Sequence, residues 1–456
     1  MHMEIPPYQP IATGLKLNQE QQQLLLLLKR GVWLYFLLLV FEGALRKWFF
    51  PALAAPLLIV RDPVALTLLA IAYHKGLFPK NIFVIGFIST GFISFFLTLL
   101  IGHGNLFVAI YGLRILVIHV PFMFLVGKIF RQYDVVKIGK AMLWIAIPMT
   151  VLIAIQFYSP QSAWVNRGVG GDMEGAGFSG AMGYFRPPGT FSFTNGTTLF
   201  YGMLTPFVTY FWLQQRKTVS FWILSTASVA LIAAIPLSIS RGLFFQVSVS
   251  VFFTLFAVLK QPRLFSTIAA GAFALILMAL ALKNFSFFQT ATEAFTLRFQ
   301  TANETEGGLE GVIVDRYLGG MYEAIFGETE IPFWGLGLGM GTNVGSMLLS
   351  GQVTFLISEG EWGRIIGEMG FLIGIALIYL RIITVLRLGI KSYQSLTADN
   401  PLPWLILSFS LLNVMQGQWA QPTSLGFAIM SGGLTIAALK CKTSDKPNCS
   451  NVKKSI

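Results

Sequence analysis

Arginine and glutamate occur at a few places where this chain otherwise runs apolar, and those are the residues able to do chemistry. In YGLRILVIHV, Arg114 sits inside a long apolar segment, with His119 five residues on. Charged groups at membrane depth are expensive and are functional candidates by default. Arg114 either pairs with Glu42 or Asp62, locking helices, or faces a polar cavity and binds an anion. On a regular helix five residues turn roughly 500°, so Arg114 and His119 are expected to point well apart, and His119 reads as a packing residue. In SISRGL a tight turn needs only its Ser and Gly, so Arg241 is extra. Guanidinium binds phosphate oxygens bidentately, which makes Arg241 a candidate diphosphate clamp; snorkelling to lipid headgroups is the other reading.

Three further stretches add to these. YFRPPGTFSFTNG holds Arg186 beside a turn that Pro187 and Pro188 stiffen and Gly189 allows to bend. GLGLGMG (335–341) is glycine-rich, and such runs can cradle phosphates. It lacks the Lys-Ser/Thr ending of a nucleotide P-loop, so ATP is not indicated, and a tight return over the membrane surface explains the glycines equally. SEGEWGRIIGEMGFLIG brings Glu359, Glu361, Arg364 and Glu368 to the start of an apolar segment, and residues 361, 364 and 368 share one helical face. Either these are a salt-bridged helix start, or one carboxylate, Glu359 or Glu361, is tuned by the arginines to act as a general base.

The elements that must position these residues are membrane helices. Of 456 residues, 55% are apolar and 11% charged, far below the ~25% charge of a soluble domain. The composition excludes a soluble or disordered protein and predicts an all-α polytopic membrane protein. Twelve apolar segments lie near 24–43, 56–73, 82–101, 106–127, 139–158, 192–213, 218–238, 242–259, 264–282, 363–386, 402–417 and 421–440. Residues 1–23 are a polar tail without a cleavable signal pattern, 24–282 hold helices 1–9, 283–362 form one long connection, 363–440 hold helices 10–12, and 441–456 form a polar tail.

Every even-numbered connection is basic: Lys75 and Lys80; Lys128, Arg131, Lys137 and Lys140; Arg216 and Lys217; Lys260 and Arg263; Arg387 and Lys391. The positive-inside rule then predicts both termini in the cytoplasm. The net charge of +12 is thereby explained by topology, and nucleic acid is not expected as a partner. The two cysteines, Cys441 and Cys449, lie in the tail and form neither a disulfide framework nor a metal site. The connection 283–362 between helices 9 and 10 carries ten carboxylates against Lys283, Arg298 and Arg316, and residues 313–327 have the spacing of a short amphipathic helix.

These features together resemble the O-antigen ligase and O-antigen polymerase superfamily of bacterial membrane glycosyltransferases. The resemblance rests on the span count with its large outer connection, RPPGTFSFTN (186–195), the pair Ser240–Arg241, DRYLGGMYEAIFGETEIPFWGLGLGMG (315–341) and GEMGFLIG (367–374). FEGALRKWFFP (41–51) is similar to an exopolysaccharide-type subgroup. The resemblance implies an undecaprenyl-diphosphate-linked glycan as donor and a glycan or lipid-glycan as acceptor. It implies transfer without metal or cofactor at the outer face of the bacterial inner membrane, among membrane lipid. It assigns the diphosphate to Arg241 and, in the long connection, to Arg316 or Arg298; the reading of the residues themselves adds Arg186, Arg114 and Glu368 to the expected binding set and makes Arg316, Glu359 and Glu361 the catalytic one. Ligases carry a histidine about nine residues before the conserved-type glutamate; that position here is Glu359, and the histidines stand at 2, 74, 103 and 119. This departure counts against lipopolysaccharide ligation in particular and leaves polymerisation or another acceptor more open. A protein O-oligosaccharyltransferase, or a polysaccharide or lipid-linked oligosaccharide flippase, is the alternative. Against the flippase, spans five to nine contain no Asp or Glu.

Overall fold

Apolar runs bounded by capping residues give the chain its helices. The computed structural model describes residues 19–214, 218–260, 285–305, 319, 322, 326, 331–352, 356–358 and 360–440. They form α1 (Gln19–Ala44), α2 (Ala54–Leu57), α3 (Arg61–His74), α4 (Ile82–Leu100), α5 (Leu106–Arg114), α6 (Val120–Ile129), α7 (Gln132–Tyr158), α8 (Asn195–Leu213), α9 (Phe221–Leu237), α10 (Arg241–Lys260), α11 (Ser286–Thr305), α12 (Asn343–Ser350), α13 (Glu361–Thr397), α14 (Leu402–Gln416) and α15 (Pro422–Ala438). Starts are chemically marked. Asn81 accepts from Val84 N at 2.9 Å, Asn105 from Phe107 and Val108 N, and Asp134 from Arg131 N, satisfying donors left over at each helix start.

Among the described residues, seven helical stretches are long and apolar enough to cross a membrane: Gln19–Phe49, Pro51–His74, Ile82–Leu100, Leu106–Ile129, Gln132–Tyr158, Arg241–Lys260 and Glu361–Thr397. Helices α9, α14 and α15 are apolar but shorter. The chain is a helical, multi-pass membrane protein by these lengths and compositions. The segment 264–282 and most of 313–327, expected as a span and an amphipathic helix, lie outside the described residues.

Helices α6, α8, α14 and α15 form the centre, with α8 and α15 buried along most of their length. Small residues permit this closeness. A side chain on Gly433 would stand 2.8 Å from Val126 Cβ, and one on Gly127 would stand 2.6 Å from Ile436. Around that centre α1, α3, α4, α7, α9, α10 and α13 expose apolar residues such as Ile85, Phe96, Trp144, Trp222, Phe252 and Leu372, as a lipid-facing surface does.

Three departures from the expected pattern matter for the site. The connection 159–191 is not bare loop: β1 (Phe178–Ala181) and β2 (Tyr184–Arg186) form an antiparallel hairpin, so the fold is not purely helical. Residues 286–305 form a 20-residue helix, α11, packed on α9 and β1. Helix α13 runs 37 residues but is broken at Gly370, whose φ of 75° and ψ of 176° are non-helical.

Candidate functional site

Three of the arginines expected to bind a diphosphate, Arg186, Arg241 and Arg298, lie on elements that pack against one another. Arg186 closes β2, half-buried, with its guanidinium 5.4 Å from the Phe178 ring across the hairpin. The hairpin packs on Ile239: a Cβ on Gly180 would come 2.6 Å from Ile239 Cδ1, so the missing side chain is what allows the approach. Ile239 itself is buried at φ +45°, a conformation a β-branched residue seldom adopts. It immediately precedes Ser240, whose hydroxyl lies 2.9 Å from Thr198 Oγ1 and accepts from Leu243 N at 3.3 Å. Arg241 then opens α10, half-buried. One turn along, Phe244 meets Phe295 and Phe299 of α11 and Phe245 meets Phe299, with ring centroids 6.0–6.1 Å apart. Arg298 lies between those two α11 phenylalanines in sequence and is half-buried. Phe244, Phe295, Thr296, Phe299 and Gln300 line an open apolar hollow of about 240 Å³. Arg316 and Glu359, the remaining members of the expected arginine and carboxylate sets, lie outside the described residues.

The turn that follows Arg186 is fastened to two helices. Lys47 Nζ donates to Gly189 O at 2.7 Å, and Gln156 both accepts from Gly189 N at 2.8 Å and donates to Gly189 O at 3.2 Å. Thr190 Oγ1 donates to Val40 O at 2.6 Å, and Arg46 donates to Ser192 Oγ at 2.9 Å. A Cβ on Gly43 would stand 2.3 Å from the Phe191 and Ser192 backbone, so α1 and the turn lie in direct backbone contact.

Glu361 and Glu368 do come together, but as partners in a closed charge network. Arg364 grips both Glu361 oxygens at 2.9 Å and reaches Glu368 at 2.6 Å. Arg381 donates to Glu361 at 2.6 Å and to the Val414 and Gly417 carbonyls, with its guanidinium 3.8 Å from the Trp419 ring centroid. Glu368 also accepts from Gly341 N at 2.8 Å. All four side chains are buried. The glycine-rich run does not turn its amides to an open cradle. Leu336 N and Gly337 N donate to the carbonyls of residues 367 and 368, and Phe371 N donates to Phe333 O. These bonds satisfy backbone that the break at Gly370 would leave bare in an apolar interior. Gly337 and Gly339 also come against His103 and Val108, positions a side chain could not share.

Arg114 takes the pairing rather than the cavity: its Nη1 lies 2.8 and 2.7 Å from the two oxygens of Asp62. The expectation that His119 points away from it is overturned, because His119 Nε2 lies 2.9 Å from the same carboxylate. The reason is a π turn, Ile115–His119, between α5 and α6. A π turn closes i→i+5 bonds and so stacks residues that a regular helix would separate. Tyr35 OH lies 3.1 Å from His119 Nδ1, and the network continues through Glu42, which accepts from Arg61 at 3.2 Å and Arg46 at 3.3 Å.

Sequence reasoning passed over Lys47, Gln156 and Arg381. Lys47 stands in the singled-out segment FEGALRKWFFP, and Arg381 is a cation deep in the tenth apolar segment, which was its available signal. Among the described residues no group of three or more His, Cys, Asp or Glu could hold a metal ion. No family model matches the chain, and no curated protein matches it.

Proposed function

We propose that the chain is a membrane glycosyltransferase of the O-antigen ligase or polymerase type. In this reading it spans the bacterial inner membrane twelve times, with both termini cytoplasmic and 283–362 outside. It takes a glycan from undecaprenyl diphosphate to a sugar hydroxyl. The observation that carries the reading is that Arg186, Arg241 and Arg298 stand on elements that pack together, with a phenylalanine-lined hollow between α10 and α11. A phosphate at the start of α10 would meet the helix dipole and the Arg241 guanidinium together. An isoprenoid tail suits the apolar hollow.

In the reaction the acceptor hydroxyl oxygen bonds to the anomeric carbon, the carbon–oxygen bond to the diphosphate breaks, and the arginines neutralise the departing charge. Preorganised donors of this kind are each worth ~3 kcal/mol. The hydroxyl proton goes to a carboxylate. Glu361 has both oxygens engaged by guanidiniums, which favours Glu359 as the base.

The test gives purified protein a polyprenyl-diphosphate oligosaccharide and follows free polyprenyl diphosphate by mass spectrometry. Release should require acceptor and should vanish in Arg241→Ala and Arg316→Ala with folding intact. Donor consumption unaffected by both changes would remove the assignment. The break at Gly370 favours a second reading, a lipid-linked oligosaccharide transporter, since transporters build sites on discontinuous helices. Against it, the freed backbone groups here are bonded by residues 333–337 rather than lining a cavity. Donor moved between leaflets without cleavage would decide for transport.

A further inference from the structure

Lys47 has a side chain that is 0% exposed, yet among the described residues its amine has a single hydrogen bond, to Gly189 O at 2.7 Å. Its other close partner is the Trp48 ring, 4.5 Å away. Among the described residues no carboxylate forms an ion pair with it. Lysines are almost never fully buried unless paired with an anion, and an apolar side chain of the same length would fill the space without the desolvation cost. Packing alone therefore gives no reason for a lysine here.

The carbonyl it holds does give one. Gly189 sits at φ +61°, and an added Cβ would come 2.9 Å from Met149 Sδ, so the turn is made in one tight way. Gln156 binds both the N–H and the carbonyl of the same residue, from α7. Lys47 binds that carbonyl from the helical turn Leu45–Phe49 that follows α1. Two prolines stand between this doubly held residue and Arg186, and they transmit its position with little backbone freedom. Pro187 O is held in turn by Thr197 Oγ1 at 3.1 Å.

We propose that Lys47 is a positioning residue: with Gln156 it pins Gly189, and so fixes the Pro-Pro-Gly turn that sets Arg186 for an anionic diphosphate. This rests on the glycosyltransferase reading for the identity of the anion. The clamp itself is a statement about the turn alone. Positioning of this kind lowers the ordering cost of binding rather than adding a contact.

The experiment compares Lys47→Met, Gln156→Met and Arg186→Ala with wild type in detergent, using farnesyl diphosphate as the probe. Hydrogen exchange is read over residues 189–192, binding by native mass spectrometry, and stability by thermal melting. Lys47→Met is expected to melt no lower than wild type, to exchange about tenfold faster in the turn, and to bind the probe about tenfold more weakly. Gln156→Met should loosen the same amides. A misfolded or markedly less stable Lys47→Met would make the lysine an ordinary structural residue and overturn the proposal. So would unchanged exchange in the turn. If the turn loosens and probe affinity holds while Arg186→Ala weakens it, the positioning role falls and the diphosphate reading stands. If wild type itself does not bind the probe, the diphosphate reading falls, and the clamp loses its stated purpose.

Discussion

Glu361 accepts from Arg364 through both oxygens and from Arg381 at 2.6 Å, in a site where its side chain is 1% exposed. Removing one partner of such a pair leaves the others charged and unmatched in an apolar surround. Glu361→Gln is therefore expected to destabilise the protein by ~3–5 kcal/mol, read as a large fall in melting temperature in detergent. Full stability with lost turnover would instead make Glu361 the base. Glu359→Gln is expected to do the opposite, abolishing release of polyprenyl diphosphate while melting as wild type does; retained turnover would exclude Glu359. The same logic distinguishes Arg114 from Arg241. Arg114 spends its charge on Asp62 at 2.7 Å, so Arg114→Met should affect melting more than farnesyl diphosphate binding, and Arg241→Ala the reverse. Equal loss of binding in both would return Arg114 to the anion site.

At the scale of elements, two interruptions of regular helix do the positioning. The π turn Ile115–His119 rotates the rest of its span, so that Arg114 and His119 reach one carboxylate. Deleting Ile118 should restore an ordinary helix in which Arg114 and the histidine stand four residues apart, about 40° from alignment, so the shared contact with Asp62 should survive. The kept contact would show as unchanged exchange around Tyr35, whose hydroxyl lies 3.1 Å from His119 Nδ1; accelerated exchange would mean that the pairing needs the extra residue of the π turn. The second interruption, Gly370, lies in a region of backbone space open essentially to glycine, and an added Cβ would stand 2.2 Å from Phe333 O. Gly370→Ala is expected to cost about 3 kcal/mol and to free residues 333–337 from α13, read by melting and by proteolysis of that segment. A mutant as stable and as resistant as wild type would mean that the break is easily relieved.

For the whole molecule, the proposed topology places the hairpin and the turn at Gly76 on opposite sides of the membrane. With Cys441 and Cys449 replaced, a cysteine at Gly170 should react with an impermeant maleimide from outside in intact cells, and one at Gly76 only after lysis. Equal labelling of both would discard the orientation. The sequence by itself determined the class of protein, because 55% apolar residues in runs of span length are a local property that the bilayer reads directly. It also marked Arg186, Arg241, Glu361 and Glu368, because charge inside apolar sequence is visible one residue at a time. It did not determine who pairs with whom. Lys47 and Gly189 are 142 positions apart, Arg114 and Asp62 52, and Glu361 and Arg381 20. Nor did it determine the π turn or the break, since both arise from how neighbouring backbone satisfies the hydrogen bonds that a straight helix would close itself. Only the tertiary structure decided these, because in an apolar interior each buried charge and each freed carbonyl takes the partner that packing brings within about 3 Å, whatever its distance along the chain.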